Sequence, residues 1–273
     1  MCPSNGTQSI ERLRVTKLGC LPYLNVRPLV YTLERGGLPE GWEFVYAPPS
    51  ELACMLNAGE IAAAPVSSFA WLANPDLDIC PEICISSNGP VRSVLILSKV
   101  PANDISRLAL DTSSLSGANL ARIILDEGYG VRPEIVRCDP KALQQGVPED
   151  ADAAVLIGDP AMLCAKDGLL IFDIGEEWMK LTGLPAVFAL WAGRGMTTEL
   201  IAVLQDARMR GAALIEQMAR EEAGRLGLPF EACLEYLSTV ISYDMGEREI
   251  QSLEVFREKA RTHGLLGCEV ALR

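Results

Sequence analysis

Hydroxyl and amide side chains recur where apolar, strand-like runs end and helix-like runs begin. Asn25 stands in the turn "GCLPYLNVRPL", between the runs "RLRVTKL" and "LVYTLE". Alone, each such residue could cap a helix, because Ser, Asp and Asn accept hydrogen bonds from the free amides of a first helical turn. Several helix amino termini with hydroxyls facing one cleft would bind an anion without a positive side chain. The other positions of this kind are Ser67 and Ser68 in "PVSSFAWL", Ser86, Gly89 and Ser93 in "ISSNGPVRS", Ser114 and Ser116 in "LDTSSLSGANL", and Asp159 in "IGDPAML".

The turn around Asn25 carries more special residues than a strand-to-helix turn requires. A glycine and a capping residue are enough for such a turn, yet Pro22 and Tyr23 are also present. We expect them to stiffen the chain and to hold Asn25 at a ligand. The stretch "TGLP" is expected to shape a cleft wall through Thr182 and Gly183, while the nearby Trp178 packs in the core.

Histidine chemistry is nearly excluded. His263 is the only histidine, and it precedes a glycine that would end the last helix, where a cation is favourable. No Ser-His-Asp, Cys-His or His-rich metal site is therefore expected, and proton transfer would use carboxylates, hydroxyls, water or the substrate. The nine cysteines are scattered in apolar runs and are interpreted as small core residues. "GYG" and "GRG" are isolated, so a nucleotide cofactor is not expected.

Composition narrows the class of partner. The 273 residues are 49% hydrophobic and carry a formal charge of −12 without a basic cluster. A nucleic-acid partner is therefore not expected. No apolar run approaches the length of a membrane helix, and the polar start "MCPSNGTQSIERLRV" does not resemble a secretory signal. We expect a cytoplasmic protein with a small-molecule ligand; residue spacing does not give the oligomeric state, and a homodimer stays open.

Strand-like and helix-like segments alternate through the first two thirds of the chain, which predicts an α/β fold with parallel pairing. The runs "VRSVLILSKV" and "PAVFALWAG" bracket a middle section that forms its own α/β unit. The predicted division is residues 1–97 for the first part of lobe 1, 98–189 for lobe 2, and 190–273 for the return to lobe 1 and the C-terminal helices. Ligands bind in the cleft between such lobes. The final eighty or so residues are predicted to be all helix.

Four stretches together resemble a known family. The stretches "PYLNVRPL", "GPVRSVLILSKVP", "AAVLIGDPAM" and "DIGEEWMKLTGLPAVFALWA" are similar, in order and spacing, to the chorismate dehydratase family of the futalosine route to menaquinone. The resemblance implies a two-lobed fold like the type II periplasmic binding proteins, with a cleft between the lobes. It also implies a carbon–oxygen lyase (hydro-lyase) that removes water from chorismate to give 3-[(1-carboxyvinyl)oxy]benzoate, with no metal or organic cofactor.

The resemblance also implies roles for individual residues. Asn25 matches the asparagine of the first motif and would hold the enolpyruvyl group, whose own carboxylate takes the C3 proton. Ser86, Gly89 and Ser93 would bind one carboxylate, and Ser114 with Ser116 the other. The sequence departs from the family where Ser114-Leu115-Ser116-Gly117 replaces Ser-Arg-Thr-Ser, and also at Ala62 and Pro160.

Two alternatives stay open. One is a non-catalytic cytosolic protein that binds a small carboxylate, because the same lobes and hydroxyls would serve binding alone. The other is the sibling enzyme, 1,4-dihydroxy-6-naphthoate synthase, whose pattern is expected to depend on a histidine base. The Asn25 motif together with "TGLP" favours the dehydratase.

Overall fold

A computed structural model describes residues 15–111 and 115–266, and their strands form two sheets. In chain order the strands are β1 (Thr16–Cys20), β2 (Trp42–Tyr46), β3 (Ala63–Ser67), β4 (Asp78–Ser87), β5 (Val94–Ser98), β6 (Arg107–Asp111), β7 (Glu134–Cys138), β8 (Ala153–Ile157), β9 (Leu170–Asp173), β10 (Ala186–Gly193) and β11 (Ser242–Asp244).

Helices connect and cover these strands. The α-helices are α1 (Arg27–Thr32), α2 (Pro49–Ala58), α3 (Ser68–Leu72), α4 (Leu115–Tyr129), α5 (Pro140–Leu143), α6 (Asp159–Leu163), α7 (Ile174–Thr182), α8 (Thr198–Ala212), α9 (Ile215–Leu226), α10 (Phe230–Glu235) and α11 (Glu247–Thr262). Short 3₁₀ turns lie at Leu24–Val26 and Ala102–Asp104, and π turns at Leu33–Gly37 and Tyr236–Val240.

The first sheet has the strand order β11-β4-β10-β3-β1-β2 and the second β7-β6-β8-β5-β9. The pairs β1–β2, β1–β3, β6–β7 and β6–β8 are parallel, as the alternation of strands and helices predicts. β10 and β5 are antiparallel to their neighbours, so both sheets are mixed. The expectation of purely parallel pairing is wrong for these two strands, each of which follows a passage between the sheets and enters from the opposite end.

The chain passes between the sheets at 88–93 and again before β10. All of β5 lies in the second sheet and all of β10 in the first, so the sequence-based boundaries at 97/98 and 189/190 fall inside these two strands. Asp173 fixes the first passage, since its carboxylate accepts the backbone N–H groups of Val91 (2.8 Å) and Arg92 (2.6 Å). The same carboxylate caps α7 through the N–H groups of Gly175 and Glu176. One buried side chain thus ties a helix of the second lobe to the crossing segment.

The C-terminal part is not all helix. β11 adds a short antiparallel strand to the edge of the first sheet beside β4, so that expectation is wrong at Ser242–Asp244. Gly211 of α8 lies so close to α1 that a Cβ atom would meet the Pro28 carbonyl oxygen at 1.9 Å. Only glycine permits this approach, which packs the C-terminal helices against the segment that follows Asn25.

Trp178 lies in the core, as the sequence predicts. Trp178 is fully buried, stacks edge-on against Phe256, and donates its indole N–H to Ser252 Oγ over 2.9 Å. Its burial joins α7 to α11. His263 directly follows α11, as predicted, and its ring nitrogens contact the carboxylates of Asp126 and Glu127 on α4.

Candidate active site

A cavity lies between the two sheets, and both lobes contribute to its lining. The first lobe supplies the turn after β1, the end of β3 and part of β10, whereas the second supplies the start of α4 and the end of β8. Its polar side chains are Tyr23, Asn25, Ser67 and Ser116. Apolar side chains cover most of the rest, among them Leu21, Val26, Ile85, Leu115, Ile157 and Phe188. None of the described residues that line it carries a charged side chain.

Asn25 occupies the middle of the 3₁₀ turn that leads from β1 into α1. Its side chain caps neither helix, because no side-chain hydrogen bond is made at either amino terminus. The amide oxygen Oδ1 is buried, yet it has no hydrogen-bond partner among the described residues. A buried amide oxygen without a partner costs free energy, about 1–3 kcal/mol. The group is therefore poised to bind something that enters the cavity.

Ser67 and Ser116 come together at the cavity from opposite lobes. The Ser116 hydroxyl donates to Ser67 Oγ over 3.1 Å and accepts the backbone N–H of Phe69 over 3.1 Å. Ser67 also accepts the N–H of Ala70 and so caps α3. Both bonds at Ser67 use its oxygen as acceptor, which leaves its own proton to be donated to a ligand.

Ser68 belongs to the same cluster but not to the cavity lining. It is fully buried, donates to the carbonyl of Val187 over 2.6 Å, and lies 2.9 Å from Ser116 Oγ. The Ser68 hydroxyl thus contacts Ser116 without lining the cavity.

Tyr23 is a lining residue that the sequence did not single out as a ligand contact. Its ring lies against Gly158, where a Cβ atom would come within 3.2 Å of Tyr23 Cδ1. Gly158 has a φ of 65° and a ψ of −152°, a conformation that essentially only glycine adopts. Burial raises the pKa of the Tyr23 phenol, and the negative charges of Asp111 and Asp159 raise it further. The phenol therefore stays protonated at neutral pH and can donate a hydrogen bond.

The structure does not place Ser86, Gly89 or Ser93 on the lining. Ser86 lies inside β4 rather than in the loop after it, is fully buried, and accepts a weak bond from Cys84 Sγ. Gly89 lies in the crossing segment, where its carbonyl accepts the Ser87 hydroxyl over 2.9 Å. Ser93 is fully buried and accepts the Tyr236 hydroxyl over 2.7 Å.

Thr182 and Gly183 end α7 outside the lining. The Thr182 hydroxyl donates to the Trp178 carbonyl and accepts the N–H of Leu184. Gly183 adopts a left-handed conformation with φ 73°, and its carbonyl accepts Arg248. Both residues make the bonds of a helix carboxyl terminus. Ser114, the remaining predicted contact, lies outside the described residues.

Asp159 lies next to the cavity and bonds to protein groups. Oδ1 accepts the backbone N–H of Leu24 over 2.9 Å, a contact between residues 135 apart in sequence. Oδ2 pairs with Arg225 Nη2 of α9 over 3.0 Å. The carboxylate is only 8% exposed. It thus joins the end of the second sheet to the turn that carries Asn25.

Apolar lining residues such as Ile85 and Phe188 gave no distinguishing signal, because a strand residue facing a cavity looks like one facing the core. Leu115 did give a sequence signal, because it is a position where the chain departs from the family pattern, and it lines the cavity.

In the described part of the chain, no three His, Cys, Asp or Glu side chains gather as ligands for a metal ion. Over the same residues, no helix has both the length and the apolar character that crossing a membrane requires.

The fold is similar to that of solved binding proteins. A protein of Archaeoglobus fulgidus matches with a TM-score of 0.75 at 20% identity, covering 91% of this chain and 97% of that one. The alkanesulfonate-binding protein SsuA of Xanthomonas axonopodis pv. citri, bound to MOPS, matches with a TM-score of 0.67 at 17% identity, covering 92% and 93%. The periplasmic SsuA of Escherichia coli is a further match. These matches confirm the predicted fold class, a periplasmic-binding-protein-like fold, and at such identities show the fold alone.

Sequence comparison identifies closer relatives. The chorismate dehydratase of Thermus thermophilus is 30% identical over 268 residues, covering 90% of this chain and 95% of the relative. A chorismate dehydratase of Campylobacter jejuni is 31% identical over 180 residues, covering 63% and 64%. A family model described as menaquinone biosynthesis matches residues 16–262. Because that match spans most of the chain, the protein belongs to the menaquinone biosynthesis family.

Proposed function

We propose that this protein is a chorismate dehydratase acting in menaquinone biosynthesis. Family membership and the two relatives named chorismate dehydratase support the assignment. The structural observation that carries it is Asn25, which lines an interlobe cavity and whose buried amide oxygen has no partner among the described residues. The reaction converts chorismate into 3-[(1-carboxyvinyl)oxy]benzoate and one molecule of water.

The chemistry requires positioning more than it requires a strong base. The C3–H bond of chorismate breaks, its electron pair forms the new ring double bond, and the C4 hydroxyl leaves. The departing proton and hydroxide make up the water. Because the ring becomes aromatic, the step is strongly downhill, and a well-oriented internal base can suffice. The enolpyruvyl carboxylate of the substrate serves as that base when it is held close to the C3 proton.

Asn25 is the residue that we assign to holding this geometry. Its amide NH2 donates a hydrogen bond to the enolpyruvyl carboxylate, and Oδ1, which has no partner among the described residues, can accept the substrate hydroxyl. The half-buried Tyr23 phenol, protonated at neutral pH, supplies a second donor from the same turn. Both groups are neutral, so they orient the substrate carboxylate without removing its ability to accept a proton.

The carboxylates of a dianionic substrate meet dipoles rather than cations in this cavity. Ser67 can donate its hydroxyl proton, and α4 begins at the lining residues Leu115 to Gly117, so the positive end of its helix dipole lies at the cavity. We therefore keep Ser67 as a direct substrate contact. Ser116 lines the same cavity but donates its proton to Ser67, so we assign it to orienting the Ser67 hydroxyl toward the substrate, and Ser114 stays a prediction. We assign Ser68, Ser86, Gly89, Ser93, Thr182 and Gly183 to supporting the walls, because their polar groups bond within the protein.

A histidine-dependent reaction such as 1,4-dihydroxy-6-naphthoate synthesis is a weaker proposal for this cavity. The chain has one histidine, His263, and it contacts Asp126 and Glu127 beyond the end of α11. It does not line the cavity. The lining offers no imidazole to act as a base.

The test replaces Asn25 by alanine and compares steady-state rates with chorismate. Removing a group that stabilises the reacting centre is expected to lower kcat on the order of 100-fold or more. The melting temperature should hold or rise, because the buried Oδ1 has no partner in the described part of the chain. Asn25→Asp keeps the shape but sets a negative charge against the substrate carboxylate, and is expected to be equally impaired. The matched control is Asn74→Ala, at a half-buried residue just after α3 whose side chain bonds to Asn57, and it should retain the parental kcat. A folded Asn25→Ala variant with the parental kcat would refute the role.

The enzyme class and the expected location of the protein follow from this proposal. Loss of water across a carbon–carbon bond makes the protein a carbon–oxygen lyase, and we expect it to act in the cytoplasm on free chorismate. A homodimer stays a prediction that sedimentation can test.

A further inference from the structure

The turn that carries Asn25 is held from both sides by a chain of charged groups. On the near side, the Leu24 N–H donates to Asp159 Oδ1 at 2.9 Å. Asp159 Oδ2 pairs with Arg225 at 3.0 Å, and Arg225 Nε pairs with Glu222 at 2.5 Å. On the far side, Glu222 Oε1 lies 2.9 Å from Arg27 Nε. Leu24, immediately before Asn25, and Arg27, two positions after it, are thus linked through Arg225 of α9.

This arrangement is more than a surface ion-pair network. Asp159 and Glu222 are 8% and 6% exposed, so their charges must be paired or hydrogen-bonded. Asp159 bonds to a backbone amide, which fixes the main chain itself rather than a flexible side chain. The contact also joins the second lobe to the first, since Asp159 follows β8 and Leu24 follows β1.

We propose that Asp159 is a positioning residue for Asn25: by accepting the Leu24 N–H, it sets the main-chain position from which the Asn25 amide reaches the substrate. The role in catalysis rests on the proposed function, whereas the restraint on the turn does not. Gly158 supports the same placement, because Tyr23 packs on its Cα where any Cβ would intrude. Asp159 therefore acts through Asn25 and does not itself touch the substrate.

The sequence alone assigned Asp159 to substrate binding. In the structure both of its oxygens are occupied by protein donors, and it is not a lining residue. A carboxylate at this position would also repel a dianionic substrate unless it were already paired. Its position beside the cavity is better explained by the Leu24 amide and by Arg225.

The experiment compares three variants. Asp159→Ala removes the acceptor of the Leu24 N–H, whereas Asp159→Asn keeps an oxygen for it and loses only the charge toward Arg225. In Asp159→Asn, Arg225 keeps its ion pair with Glu222. Because the Arg225 side chain is 47% exposed, it can move away from the amide that replaces the carboxylate. The matched control is Asp152→Ala. Asp152 accepts the N–H groups of Ser106 and Arg107 in the second lobe, far along the chain from the turn.

The first readout is the division of the effect between kcat and KM. A displaced catalytic group can cost on the order of 100-fold in rate, so Asp159→Ala is expected to lower kcat about 10-fold to 100-fold with a smaller change in KM. Asp159→Asn should recover most of kcat, and Asp152→Ala should lower stability alone. In the Asn25→Ala background, adding Asp159→Ala should cost nothing further, because the two residues act as a unit. Equal losses for Asp159→Asn and Asp159→Ala, or an additive double variant, would overturn the proposal.

The second readout does not depend on activity. Hydrogen exchange of the peptide spanning Tyr23 to Val26 is expected to accelerate in Asp159→Ala and not in Asp152→Ala. Unchanged exchange in Asp159→Ala would overturn the positioning role even if the enzyme dehydrates chorismate. Faster exchange in a protein that does not act on chorismate would refute the proposed function and leave the restraint on the turn in place.

Discussion

The hydroxyl of Ser116, at the start of α4 in the second lobe, donates a hydrogen bond to Ser67 Oγ in the first lobe over 3.1 Å. Ser67 in turn caps α3, and Ser116 accepts the Phe69 N–H of the same helix. Two helix amino termini are thereby held together at one cavity wall. This contact brings two helix starts together at the place where we propose that a carboxylate of the substrate binds.

Replacing Ser116 by alanine should weaken substrate binding. The Phe69 N–H loses its acceptor, which is expected to cost about 1–3 kcal/mol of unfolding free energy. Without the Ser116 proton to accept, the Ser67 hydroxyl loses its fixed orientation toward the substrate, which should raise KM for chorismate roughly 10-fold, the equivalent of one ordinary hydrogen bond. Ser98→Ala is the matched control, since Ser98 is also fully buried but bonds to Val100 in the second lobe. A Ser116→Ala enzyme whose KM moves no more than that of Ser98→Ala would contradict the assignment.

The first residue of α4, Leu115, lines the cavity with an apolar side chain rather than with a cation. We expect Leu115→Arg to lower KM for the dianionic substrate several-fold at low salt, because a guanidinium pairs well with carboxylates. The gain should shrink at high ionic strength, where partly exposed charges are screened. Leu115→Gln is the control for polarity and length without charge. A KM that stays constant, or that falls equally in Leu115→Gln, would show that neither carboxylate lies near this residue.

The contact between α11 and α4 is expected to make stability depend on pH. The pKa of Glu127 is lowered from its ordinary value of 4.5 by hydrogen bonds from Lys259 and His263, which outweigh the opposing effect of burial. A carboxyl with a lowered folded pKa contributes stability that is present above pH 4.5 and is lost as the pH falls through the folded value.

Glu127→Gln tests this contribution. The variant should be less stable than the parent near neutral pH, by roughly 1 kcal/mol or less, and the two should converge in acid. Chemical denaturation at several pH values measures both curves. Glu216→Gln, at the exposed pair with Arg220 on α9, serves as the control. A constant difference between parent and Glu127→Gln at all pH values would rule out the contribution.

The sequence predicted the alternation of strands and helices, the two lobes and the position of Asn25 in the turn after the first strand, because these depend on local patterns. It could not show that Ser86, Ser93 and Thr182 bond within the protein. A serine at a strand end caps a helix, meets a ligand or satisfies a buried partner with the same local sequence. The partner of Ser93, for example, is Tyr236, which lies 143 residues away.

The bonding partners of Asp159 are also distant from it in the sequence. The motif "IGDP" indicated a polar strand end, but only the fold brings its carboxylate to the Leu24 amide and to Arg225. Likewise β11 has three residues, too few for a periodicity signal, and exists because β4 offers it an edge. Such contacts depend on tertiary structure and leave no trace in a local window.

Removal of water from chorismate can be observed directly. The purified, folded protein is incubated with chorismate, and the mixture is followed by mass spectrometry and proton NMR. We expect an enzyme-dependent species lighter than chorismate by one water, with the aromatic ring protons and vinyl protons of 3-[(1-carboxyvinyl)oxy]benzoate, and a strongly reduced rate in Asn25→Ala. Unchanged chorismate in the presence of the folded protein would contradict the proposed dehydration and favour a protein that binds a small carboxylate without converting it.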